Sequence, residues 1–476
     1  MGSERLKVWG TIALLWASAV LPNLGLRSFI WEEGSNAELA RDMLERGDLL
    51  RPLLHGVVWV EKPSLLPWLI AAVSKLGGGV GEWTARLPSM LCVLLTALMV
   101  QALTRRHASL RASVFAAFAF MLCPLLLQKL TIAEPDTVIT ALSFAAFLLW
   151  WNGAERGAPS LARWIGCGAL LAVLAMAKGP QPVGFFALGI GLYIVIARRW
   201  RELPGLVVCL LCPLLATIAW AVAVYRPDGT TATTWLQYLR LAKQPKSPTL
   251  LQYLAGNGRT VFQLAIELLP ALMLAPFAPG PWRRPRPADA PAVVTPLICY
   301  ATACTAILLV WPLALSRYAM PIAPAVAVLG GLAWDRLAGA KHVWLRDLAA
   351  GVVVALAIYQ MVLTIAVVPI LADRFGSARI EGGKIAEAVR TESVPVYCEE
   401  PANNDQFFYA HVPMHCYRWD QYLAIPAPAW LLASSEDLDE LAKARPELDI
   451  RRVLSTRAGG PVVTALILPR AAKTAP

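Results

Sequence analysis

The residue types that could do chemistry sit beside apolar runs. Glu32 and Glu33 are adjacent carboxylates in the charged run 27–63, which closes on Glu61-Lys62-Pro63. Further along come Glu134 and Asp136, then Lys178, then Arg317. Charges next to or within membrane spans are costly to bury and tend to be functional. Cations there could hold a phosphate and stabilise charge developing on it, while carboxylates could take a proton as general base. Together they suit transfer of a group from a lipid phosphate. The competing reading of each residue is an interfacial anchor or one half of a surface ion pair.

Local chemistry predicts a short helix behind Glu32 and Glu33. Ser35 and Glu38 have capping-box spacing, Leu39 and Met43 sit one turn apart, and Gly47 can end the helix in the left-handed conformation. Glu38 thus has a structural job, whereas Glu32 and Glu33 have none visible in the pattern. They lie just after a membrane span and just before a helix, at the water boundary.

The wider composition is that of a polytopic helical membrane protein. Of 476 residues 57% are hydrophobic, and mean hydropathy is +0.54. The net charge of +11 does not point to nucleic acid. Residues 1–371 carry 31 basic and 18 acidic residues, with much of the excess in short loops, as orientation signals are. No basic face interleaved with aromatics appears, so nucleic acid is not an expected partner.

Apolar runs checked against basic loops give about 11 transmembrane helices. They fall near 8–26, 88–103, 113–127, 138–151, 165–177, 183–197, 206–224, 261–277, 293–313, 320–334 and 348–371. The run 64–76 is short for a span and reads as an interfacial or re-entrant helix of the first outer loop. This count puts Glu32, Glu33, Glu61, Lys62, Glu134, Asp136, Lys178 and Arg317 on one, outer, side. In the long outer loop 225–260, Pro245, Pro248, Gly256 and Gly258 read as turns.

From Ala372 the composition becomes that of a small soluble module. The expected domains are therefore 1–371, transmembrane, and 372–476, a small C-terminal α/β extracytoplasmic domain. Strands are expected around 394–400, 428–434 and 461–470, with helices around 377–392 and 434–444. Of nine cysteines, seven lie in apolar runs as small hydrophobes, whereas Cys398 and Cys416 could pair in an oxidising compartment. His411, His415 and Cys416 cluster, but Pro413 forbids a helix that would align the histidines, so a divalent metal is possible without support and no metal site is assigned. His55 could touch substrate, with a packed or capping role as its alternative.

The order of motifs carries a resemblance. WEEGSNAELARDML, RPLLHGVVWVEKPSLLPWL, EWTARLPS, TIAEPDT, AMAKGP and SRYAMPIAPAVAVL resemble the C-type membrane glycosyltransferases. The likeness is greatest to the group containing the aminoarabinose transferase that modifies lipid A, with the protein O-mannosyltransferases more distant. The resemblance implies a glycosyltransferase of inverting type that moves a sugar from a polyprenyl-phosphate donor to a lipid, polysaccharide or protein at the outer face of a bacterial inner membrane. It implies an acidic catalytic residue of the first outer loop at Glu32, followed by Glu33, where the family usually has aspartate and then glutamate. It assigns Lys62 to the donor phosphate, Glu61 to shaping the site, Asp136 to the second acidic position beside Glu134, and Lys178 and Arg317 to further phosphate contacts. The rivals are a transporter or flippase for lipid-linked sugar, which should carry midplane charges and repeat symmetry, and a scaffold that only binds polyprenyl phosphate.

Overall fold

The computed structural model describes residues 2–227, 231–232, 235–236, 250–279, 292–310, 315–339, 341–399, 405–417, 419–457 and 461–470. Residues 237–249 of the long outer loop, with Pro245 and Pro248, lie outside the described residues. Helices α1 (Gly2–Val20) and α2 (Glu33–Arg46) precede a hairpin of β1 (Leu53–Leu54) and β2 (Val57–Val58). Then follow α3 (Leu65–Gly77), α4 (Glu82–Arg105), α5 (Leu110–Met121), the single-turn α6 (Pro124–Leu127), α7 (Pro135–Ala154), α8 (Leu161–Lys178), α9 (Gln181–Ile196) and α10 (Leu203–Val224). The helical part closes with α11 (Leu250–Glu267), α12 (Ala271–Leu274), α13 (Val294–Val310), α14 (Ala323–Leu337) and α15 (Val343–Val362). Beyond it come α16 (Ser377–Val389), β3 (Val396–Cys398), α17 (Asp405–Ala410), β4 (His415–Cys416), β5 (Ala429–Ala433), α18 (Ser435–Ala444), β6 (Leu448–Thr456) and β7 (Val462–Pro469).

The chain groups into two compact units. One comprises residues 1–22, 60–66 and 88–366, the other residues 23–59, 67–87 and 367–476. Composition alone drew a single boundary at 371, whereas the second unit also takes in most of the charged run that follows α1.

Six described helical stretches, lying wholly or mostly in the first unit, are long and apolar enough to cross a membrane, or seven if α11 and α12 are counted as one span bent by 98°. The stretches 200–224 and 343–370 bury only 17% of their apolar windows, the pattern of a helix whose other faces meet lipid. Close helix approach depends on small residues, as membrane packing does. A Cβ on Gly168 of α8 would lie 2.7 Å from the Cys209 carbonyl oxygen of α10, so only glycine allows that spacing. Phe144, Phe147, Trp150 and Tyr300 fill the interior as a chain of ring contacts. Gly256 and Gly258, read from sequence as turns, lie inside α11.

In the second unit, five strands form one sheet in the order β4-β3-β5-β7-β6. β3 runs parallel to both β4 and β5, while β5, β7 and β6 pair antiparallel. The central strands β5 and β7 are buried on both faces and read as continuous apolar runs, AWLLA and VVTALIL. β6 was not expected from sequence: Arg451 and Arg452 interrupt its pattern because it is an edge strand that turns them to solvent. Cys398 and Cys416 are joined in a disulfide that links neighbouring strands β3 and β4.

Candidate active site

Five charged residues of the first unit converge where α7 begins and α8 ends. Glu134 is the N-cap of α7, Pro135 occupies its first position, where a missing N–H costs nothing, and Asp136 lies in the first turn, at the positive end of the helix. Lys178 is the last residue of α8, a favourable place for a cation, and Gly179 at φ 75° ends the helix with a backbone other residues resist. Lys178 Nζ is 2.9 Å from Asp136 Oδ1 and 4.0 Å from the centre of the Tyr318 ring. Arg317 lies in the turn Ser316–Ile322, 3.5 Å from Glu134 Oε1 and 5.7 Å from the same ring. Lys129 Nζ reaches Glu134 Oε2 at 2.6 Å.

Among the described residues three cations therefore face two carboxylates, and two of the cations, Lys178 and Arg317, lie against one aromatic ring. Glu134, Asp136 and Lys129 are buried, and Lys178 and Arg317 are mostly so. The carboxylates hold the cations together against their mutual repulsion. Lys129 and Tyr318 were missed in the sequence. Lys129 is a single cation ending an apolar run, and Tyr318 is an uncharged neighbour of Arg317 in SRY, so neither carries a signal of its own in the sequence.

The first-loop carboxylates belong to the second unit and have unlike surroundings. Glu33 is fully buried, its Oε1 and Oε2 engaged by Arg86 at 2.8 and 3.0 Å, with Arg27 2.9 Å from Oε2. Arg86 also donates to the carbonyl oxygens of Leu24, Arg27 and Ser28, so one guanidinium ties down the approach to α2. Arg86 lies in EWTARLPS, a motif whose residues received no role from sequence. Glu32 is half-buried at the N-cap position, and its carbonyl accepts from the side chain of Asn36 at 2.8 Å. Trp31 before it is exposed and held at φ 60°, a strained backbone for an aromatic residue and of the kind that clusters at functional sites.

The expected capping box does not form. α2 starts at Glu33, two residues before Ser35, and its N-cap makes no side-chain hydrogen bond. Glu33 Oε2 instead accepts from Ile30 N at 3.1 Å, and Asp405 Oδ1 of α17 accepts from Gly34 N at 2.9 Å. A carboxylate 371 residues away supplies the cap, which no local pattern could reveal. Glu38 pairs instead with Arg41 at 2.9 Å. Gly47 ends the helix at φ 73°.

Other assigned residues fall as follows. Glu61 and Lys62 are half-buried in a bend that follows Val60, whose carbonyl accepts from Trp235 at 2.7 Å. His55 packs edge-on against Phe407 with ring centres 5.6 Å apart, and burial, with help from Arg41, pushes its imidazole down to about 3. It is a neutral, packed histidine. His411 Nδ1 lies 2.9 Å from Arg41, and the sulfur of Cys416 is in the disulfide. No group of three or more possible metal ligands occurs among the described residues.

Comparison with known proteins connects this geometry to a fold. ArnT from Cupriavidus metallidurans, solved bound to undecaprenyl phosphate, superposes with a TM-score of 0.70 over 97% of both chains at 20% identity. The chain has the ArnT fold. The Archaeoglobus fulgidus oligosaccharyltransferase matches more loosely, with a TM-score of 0.50 over 94% of this chain and 69% of that one at 13% identity. In sequence, a family model described as dolichyl-phosphate-mannose-protein mannosyltransferase matches residues 61–223, which include EKP, EPDT and KGP. The undecaprenyl phosphate-alpha-4-amino-4-deoxy-L-arabinose arabinosyl transferase of Edwardsiella ictaluri is 29% identical over 58% of this chain and 50% of its own length. The chain thus spans about half the length of the curated relatives it matches. The resemblance to C-type membrane glycosyltransferases of the aminoarabinose transferase kind holds in sequence motifs and in fold.

Proposed function

We propose that the protein is a membrane glycosyltransferase that moves a sugar from a polyprenyl-phosphate donor to a lipid, polysaccharide or protein acceptor, with inversion at the anomeric carbon. The observation that carries this reading is the group of Lys129, Lys178 and Arg317 held by Glu134 and Asp136, with Lys178 and Arg317 against the Tyr318 ring. An acceptor oxygen attacks the anomeric carbon, and the bond from that carbon to the phosphate oxygen breaks. The phosphate leaves with added negative charge, which Lys178 and Arg317, with Lys62, stabilise in a site largely shielded from water. A hydroxyl acceptor gives its proton to Glu32 or Asp136 as general base, a role worth roughly 100- to 10,000-fold. A phosphate acceptor is already anionic and needs no base; the carboxylate then orients the acceptor or steadies the positive charge developing on the sugar. Glu33, locked by Arg86 and Arg27, positions the start of α2 and with it Glu32. Glu61 shapes the bend that carries Lys62.

We further read eleven spans: the six long stretches, the bent pair, α1, α5, α9 and α13, with α3 at the interface. The site residues and an α/β domain from 372 lie on the periplasmic side of a bacterial inner membrane in this reading. The Cys398–Cys416 disulfide supports an oxidising location for that segment. The bent α11–α12 pair is a feature that a transporter of lipid-linked sugar would share.

Reconstituted protein separates the two. A transferase releases polyprenyl phosphate only when acceptor is supplied, whereas a transporter moves the intact donor across the bilayer without releasing it. Transport without release contradicts the proposal.

A further inference from the structure

Glu267 ends α11 at the bend, and only 4% of its surface is exposed. Its Oε1 accepts from Gln263 Nε2 at 2.9 Å and from Ser316 Oγ at 3.1 Å, and Gln263 Nε2 also reaches Ser316 Oγ at 3.0 Å. Its Oε2 is buried without a hydrogen-bond partner. Three costs fall on this one group: a carboxylate at the negative end of a helix, burial next to apolar Leu264 and Leu268, and an acceptor oxygen left unmet. The hydrogen bonds to Oε1 offset these costs only in part, and no described residue meets Oε2, which is the mark of a group kept for a ligand.

Position supplies the ligand's class. Ser316 is followed in the same turn by Arg317, which the proposed function assigns to the donor phosphate. Ser316 Oγ donates to Glu267 and Ser316 directly precedes Arg317, which ties Glu267 to the turn that carries the proposed phosphate contact. We propose that Glu267, Gln263 and Ser316 form a polar subsite that receives a hydrogen-bond donor on the sugar of the lipid-phosphate donor, a hydroxyl or an ammonium group, with Glu267 Oε2 as its acceptor. This rests on the donor-phosphate reading and adds to it a determinant of which sugar is taken.

The test measures binding to the full chain in lipid nanodiscs. Three probes are used: bare undecaprenyl phosphate, undecaprenyl phosphate carrying glucose, and undecaprenyl phosphate carrying an aminopentose. Wild type should bind at least one sugar-bearing probe more tightly than the bare lipid. Glu267→Gln should weaken that probe about tenfold, in keeping with loss of a hydrogen bond to a charged group, and leave the bare lipid within about twofold. Preference for the aminopentose probe identifies an ammonium ligand, and preference for glucose a hydroxyl. Ser316→Ala should act in the same direction and serves if Glu267→Gln does not fold. Equal wild-type affinity for all three probes overturns the subsite, as does a variant that weakens all alike or none. Failure of wild type to bind bare undecaprenyl phosphate instead overturns the donor-phosphate reading and the subsite with it.

Discussion

Glu33 and Glu32 are neighbours in sequence with different work. Both oxygens of Glu33 are bonded by a buried guanidinium, so Glu33→Gln leaves Arg86 without its counter-charge. Loss of one partner from a buried pair costs about 3–5 kcal/mol. The variant should therefore melt well below wild type, whereas Glu32→Gln should melt like wild type and lose transfer activity; matching melting curves for the two would contradict this division. At the cation group, Lys178→Ala and Arg317→Ala should each weaken undecaprenyl phosphate binding roughly 10- to 100-fold, the range for a hydrogen bond to a charged group, and raised salt should reduce wild-type binding as well. Asp405 adds a pH dependence. Burial pushes its carboxyl up from 3.8 to about 7, against the hydrogen bond from Gly34, and burial likewise pushes Glu38 from 4.5 to about 7. A folded value above the unfolded one means stability that is full at low pH and is lost as pH rises through about 7. Melting of the second unit should fall between pH 5 and 8, and Asp405→Asn with Glu38→Gln should flatten that slope; an unchanged slope would count against it. Lys178, Asp136 and Arg317 were legible in sequence because charges beside apolar runs demand explanation. Lys129 and Arg86 were not, because their partners lie in other segments.

At the level of elements, the six long apolar spans and the central strands were legible because long apolar runs have few other uses. The start of α2 was not. Its cap comes from α17, and the approach of the two is close: a Cβ on Gly34 would lie 2.7 Å from Asp405 Oδ1 and 3.0 Å from its Cα. Gly34→Ala gains about 1 kcal/mol in helix propensity but forces backbone apart, at about 1–3 kcal/mol. A net loss of thermal stability is expected, and a gain would show that the contact yields easily. β6 was missed for another reason. An edge strand needs only one sheet neighbour, so its charged residues mask the alternation that marks it.

For the whole molecule, composition spoke to the class of protein, and the order of motifs to the chemistry. The grouping of residues 23–59 and 67–87 with the C-terminal part had no signal in composition, because it rests on single contacts such as Glu33 with Arg86 and Gly34 with Asp405. The central claim is that the cation group around Tyr318 serves sugar transfer from a lipid phosphate. Its most direct test is mass spectrometry of the lipids, polysaccharides and envelope proteins of a deletion strain complemented with wild type or with Lys178→Ala, each matched for protein in the membrane. The account predicts one added mass, the size of a hexose or pentose, that returns on a single class of acceptor with wild type and not with the variant. Full restoration by Lys178→Ala would contradict it.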